Sequence, residues 1–161
     1  MIASIVHKTP HVILEKLNRL LHALEQVKVN YEQTAKRMHN KQLKLSLLGL
    51  AQESKQYANE LIAHIETLGG KLQERFKSEF NRMEDATEMQ VLSEPTDDLL
   101  QLNLQEQKVL KTYRDVLNEP FLYDTIRQMI RYQQNGLLHC FSQIRMLYAT
   151  IFKYNHLNYS L

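Results

Sequence analysis

The stretch from Glu53 to Gly70 carries carboxylates at Glu53 and Glu60, a phenol at Tyr57 and an imidazole at His64. Glu53 to Tyr57 and Glu60 to His64 are steps of four, and Glu53 to Glu60 is a step of seven. At roughly 100° per residue these steps put all four side chains on one helical stripe. Carboxylate and imidazole facing into a helical bundle are the donors that hold iron or manganese, so a metal site is the first chemistry to weigh. Two more polar residues bear on it. Glu106 lies roughly 30° from the centre of the apolar face marked by Leu99, Leu102, Val109 and Tyr113. Gln133 is similarly central among Ile126, Met129, Ile130 and Phe141.

Wheel arithmetic separates the stripe from the core. The apolar centre of its helix lies near Leu43, Ser54 and Leu61. His64 sits roughly 70° from that centre, Glu53 roughly 90° and Glu60 roughly 110°. The stripe therefore predicts a solvated shoulder, on which Glu60 and His64 could pair for about 0.3 kcal/mol. Glu106 and Gln133 instead point inward. Counting back from a hairpin at Asn118–Pro120 sets them at one height, as a buried carboxyl–amide pair. Counting up from Asn40 adds Glu32 and Glu53, so one polar layer of Glu32, Glu53, Glu106 and Gln133 is expected, one residue from each of four helices.

The elements that must position this layer are legible as four apolar stripes of helical period. Thr9-Pro10 reads as the start of the first helix, with threonine as cap and proline at the first helical position. Leu14, Leu17, Leu21, Leu24, Tyr31, Ala35 and Met38 follow, and Asn40 caps the second helix. Leu43, Leu47, Leu50, Ala58, Leu61, Ile65 and Leu68 line that one, which Gly69-Gly70 stops. A third helix starts near Ser93–Thr96 and ends at Asn118-Glu119-Pro120. A fourth runs from about Leu122 to beyond Tyr148. Between the second and third, Leu72, Phe76, Phe80 and Met83 sit at helical spacing, predicting a short amphipathic helix in a long crossover. The fold expected is all-α, a ferritin-like four-helix bundle with its long crossover between helices 2 and 3. It forms one domain over residues 1–161, with the bundle core at about 10–150 and an aromatic tail at 152–161.

The totals agree with long helices. Four Gly and three Pro among 161 residues leave few breakers, and 43% of the residues are hydrophobic, enough for a core. A net charge of +2 points to no polyanionic partner. The single Cys140 excludes an internal disulfide and fits a reducing compartment. The first residues lack a basic segment followed by an apolar run, and no run reaches the ~20 apolar residues of a membrane span. A cytoplasmic protein with no membrane partner is expected. Cys140 itself faces inward near Ile144, as an inert core thiol rather than a nucleophile.

Di-iron bundles take a Glu from two helices and Glu-x-x-His from the other two. Here the corresponding runs read Glu53-Ser54-Lys55-Gln56 and Gln133-Gln134-Asn135-Gly136, and no Asp or Glu follows Asp124. Both histidines are missing and one carboxylate is an amide. No metal or other cofactor is expected, and the layer reads as the remnant of a di-metal site. Arg127, Arg131, Arg145 and Lys153 make the last quarter basic and five tyrosines make it aromatic, but the rest of the chain is acidic by two charges, so nucleic acid is not the expected partner.

The residues so far carry a resemblance. Asn30-Tyr31 with Ala35, Glu53 with Tyr57 and Leu68-Gly69-Gly70, Glu106 with Tyr113, and Gln133 with His139 recur in order. With them the chain resembles, from Leu14 to Leu147, a bacterial family of ferritin-like four-helix-bundle proteins classed as a domain of unknown function. The resemblance implies the bundle and its crossover and supplies no activity. It also singles out Tyr31, Tyr57, Tyr113 and His139, although the wheel turns His139 roughly 130° from the core. The function expected is a non-catalytic structural or protein-interaction module, binding itself as a homo-oligomer or another protein. The alternative is an iron- or manganese-binding oxidase or storage protein with an atypical carboxylate site.

Overall fold

The computed structural model describes residues 2–70 and 95–159, with side chains described over 11–70 and 99–151. Four α-helices account for the described residues, with no strand among them: α1 Ile2–Arg37, α2 Lys41–Thr67, α3 Pro95–Leu117 and α4 Asp124–Tyr159. The expected crossover helix at Leu72–Met83 lies outside the described residues.

The ends of α2 follow local chemistry. Asn40 has extended backbone, and its Oδ1 accepts from the Leu43 N–H at 2.9 Å, satisfying a donor that the first turn leaves without a carbonyl. At the other end Gly69 takes φ 81°, open to glycine without strain. That turn lets the Gly70 N–H reach the Ile65 carbonyl and the Gly69 N–H the Glu66 carbonyl, both at 2.9 Å, closing a Schellman motif. The α3 helix begins at Pro95 and stops at Leu117, as its flanking residues predict. Two expectations fail at helix starts. The first helix begins at Ile2, not at Thr9-Pro10, and carries Pro10 within it. Proline removes one N–H and not the helical φ, so it weakens a helix at that point without having to begin one. The fourth begins at Asp124 rather than about Leu122, because Leu122 turns its side chain into the core from the connection.

Helix directions follow from cross-helix contacts. Lys16 near the start of α1 bonds Glu119 just past α3, and Gly70 after α2 lies against Leu14. The α1 helix is therefore antiparallel to both α2 and α3, which run the same way. Glu53 with Cys140 and Glu60 with Gln133 set α4 antiparallel to α2. The pairs in contact are α1 with α2, α1 with α3, α2 with α4 and α3 with α4, so the four helices form a square.

Its interior is one apolar cluster fed by all four stripes, with Leu17, Leu24, Leu47, Leu61, Val109 and Ile130 wholly buried. The wheel missed Leu137 and Tyr148 of α4, which are buried, whereas Met129, Cys140 and Leu147 are only partly so. The tertiary contacts rotate α4 slightly from the centre that its hydropathy alone indicates.

Candidate functional site: the polar seam between α2 and α4

The shoulder of α2 is only partly solvated. Tyr57 is 2% exposed, and Glu53, Glu60 and His64 are half-buried where α4 packs against them. Opposite Tyr57, α4 supplies Gly136. A Cβ there would run into the Tyr57 hydroxyl and lie 3.3 Å from Glu53 Oε1, so only glycine leaves room for the phenol. The Tyr57 hydroxyl donates to Glu53 Oε1 at 2.6 Å, and the Cys140 thiol donates to Glu53 Oε2 at 2.7 Å. Each oxygen of Glu53 thus has a donor from the protein itself.

One turn along, Gln133 is wholly buried, and its amide is used on both sides. Its Oε1 accepts from the Tyr113 hydroxyl at 3.0 Å. Its Nε2 donates to Glu60 Oε2 at 2.9 Å and to the Tyr57 carbonyl at 3.3 Å. The surface Glu60–His64 pair is thereby replaced by a link across the seam. Tyr113, Gln133, Tyr57, Glu53 and Cys140 form one connected network, which ties α3, α4 and α2 together. Partners of this kind are what a buried amide and phenol require.

The structure does not gather Glu32, Glu53, Glu106 and Gln133 into one layer. Gln133 stands level with Tyr113, seven residues and about two helical turns from Glu106. The connection Asn118–Tyr123 is longer than the tight hairpin from which the heights were counted, and it shifts α4 along α3. Glu106, 8% exposed, pairs instead with Arg145 of α4. Glu32 lies 3.5 Å from Lys28 on its own helix. Tyr31 stacks obliquely on Phe141 with centroids 6.0 Å apart, and His139 is exposed. Among the described residues, no three of His, Cys, Asp and Glu come together as a group that could hold a metal.

Sequence reasoning saw the arginines of α4 as a basic row but did not find their partners. Arg127 donates to the Leu117 and Glu119 carbonyls at 2.7 and 2.9 Å, capping the end of α3, where a cation meets the negative pole of the helix. The signal was present. With no acid after Asp124 at the first turn of α4, Arg145 near its other end can find an anionic partner only on another helix.

Burial governs the ionisation of the seam. It pushes the Cys140 thiol up from 9.0 to about 12, aided by the hydrogen bond to Glu53 and its charge. Burial first, and Glu53 next, raise the Tyr57 phenol well above its ordinary range. Burial does the same to Tyr113, and to Tyr31 with help from Glu106. A thiol and phenols held neutral make hydrogen bonds, and they are poor nucleophiles and poor bases at neutral pH. No protein-family model matches the chain, and no curated protein matches it.

Among the described residues, no helix is long and apolar enough to cross a membrane.

Proposed function

We propose that this chain is a non-catalytic helical-bundle module, ferritin-like in topology with a crossover between α2 and α3, whose polar interior is structural. Its work is association, with itself or with another protein, in a reducing compartment such as the cytoplasm. The observation that carries the reading is the state of Glu53. Both its oxygens accept hydrogen bonds from Tyr57 and Cys140, whereas a metal-site carboxylate turns its lone pairs to the ion. Glu106 is likewise engaged by Arg145. The shared direction of α2 and α3 supports the ferritin-like arrangement, which needs a long connection between them.

The test is elemental analysis of protein purified without an affinity tag, with thermal melts in the presence and absence of a chelator. Less than a tenth of an equivalent of iron or manganese (roughly the background of adventitious binding) and no change in melting temperature are expected. Stoichiometric metal, with a melting temperature that collapses on chelation, would establish the oxidase or storage reading instead.

A further inference from the structure

One face of the bundle has almost no charge among its fully exposed residues. Acidic and basic residues make up 24% of the chain, yet from Thr125 to Thr150 every exposed residue on the side of α4 nearest α2 is uncharged apart from His139. Helical geometry turns Arg127, Arg131 and Arg145 toward α3 instead, and Arg127 and Arg145 bond there. The adjoining side of α2 adds exposed Leu45, Gly49 and Gln56; its two acids, Glu53 and Glu60, are half-buried and hydrogen-bonded to α4, while Lys41, Lys44 and Lys55 turn toward α1. Apolar side chains stand out of this face: Tyr132 and Met146 are each 68% exposed and Leu45 is 65% exposed. Interfaces between proteins are depleted of charge at their centres and enriched in Tyr and Met.

The spacing suits a second copy of the chain as the partner. Tyr132 and Met146 lie seven residues to either side of His139, so the three share one line along α4. A two-fold axis through His139 sets a second α4 antiparallel to the first and brings Tyr132 opposite the partner's Met146, and the converse. Sulfur against an aromatic ring is a favourable contact, and a surface that matches itself about a two-fold is what a closed dimer uses. Gly49 has open space around its Cα and adds no bulk to the approach. Two helices about 10 Å wide and roughly 40 Å long present about 800 Å², the usual share of one partner in a stable complex.

We propose that this face of α2 and α4 binds a second copy of the chain, forming a two-fold dimer centred on His139. The proposal rests on the interaction-module reading and names its surface. The experiment is analytical ultracentrifugation of the full chain from 1 to 100 µM (roughly the span of transient to stable dimers), with circular dichroism as a folding control. Wild type is expected to reach twice its 19.0 kDa mass. Both Met146→Glu and His139→Glu should keep the helical signal and weaken association at least tenfold, because the first sets a carboxylate against the partner's Tyr132 ring and the second sets two carboxylates together at the axis. Lys108→Glu, exposed on α3 and away from this face, should leave the association unchanged. A wild-type dimer that both glutamate variants retain overturns this surface and leaves self-association standing elsewhere. A wild type that stays monomeric throughout overturns the dimer and the homo-oligomer together.

Discussion

Arg145 of α4 donates to the carboxylate of Glu106 on α3, and the acid is far more buried than the base: their side chains are 10% and 46% exposed. Such a pair is asymmetric in its consequences. Removing the cation leaves a buried carboxylate with nothing to offset its lost hydration, whereas removing the acid leaves an arginine that can turn to solvent. Arg145→Ala is therefore expected to cost about 1–3 kcal/mol, and Glu106→Gln about 1 kcal/mol or less. Urea titrations of both variants and of the double variant measure this. A coupling below about 0.3 kcal/mol would reduce the pair to an ordinary surface contact.

Gly136→Ala tests the packing of the seam. On propensity alone the change should stabilise α4 by up to about 1 kcal/mol. The added Cβ meets the Tyr57 hydroxyl, and Tyr57 is held by Glu53 and surrounded by core. The net effect expected is a loss of about 1–3 kcal/mol, as overpacking gives. Tyr57→Phe removes the atom that is struck, so in the double variant part of the loss should return. Thermal melts of the three proteins decide it, and a stabilised Gly136→Ala would refute the close fit.

The buried amide of Gln133 makes a sharper case. Gln133→Leu conserves volume but strands the Tyr113 hydroxyl and takes a donor from Glu60, for a cost of about 2–3 kcal/mol. Gln133→Glu puts a second carboxylate beside Glu60, which disfavours ionisation in the folded chain. The new acid then titrates above the unfolded value of about 4.3. Its penalty is full at neutral pH, falls as pH drops through the raised folded value and is absent below about pH 4. Melting temperatures of this variant and wild type should converge on acidification. A gap that stays constant from pH 8 to pH 4 would contradict the placement.

Cys140 fixes an alkaline limit. Its folded thiol titrates near 12 against an ordinary 9.0, so unfolded chains lose that proton first. The stabilisation it brings is intact below pH 9 and is lost as pH rises from there through about 12. Melting temperature should fall over that window, and less steeply in Cys140→Ser. Alkylation of the native thiol at pH 8 should be much slower than in urea. Equal rates in both conditions would mean that the bond to Glu53 is not held in solution.

The sequence by itself determined the helices and most of their buried faces, because those depend on short-range chemistry. Asn40 offers its side chain to an N–H three residues on, Gly69 adopts a backbone that other residues avoid, and an apolar residue every three or four positions marks the side that must leave water. It also placed Glu106 and Gln133 inside. What it left open was their partners, since these depend on how far one helix slides along another and how it rotates. The connection Asn118–Tyr123 shifts α4 so that Gln133 meets Tyr113 and Glu60, while Glu106 meets Arg145, which the sequence marked only as part of a basic stretch. Tyr57 shows the same limit. Read on its own helix it stands on a shoulder that water would wet; only the arrival of Gly136 on another helix makes that shoulder an interior. Local periodicity says which side of a helix seeks cover, and tertiary packing decides what covers it.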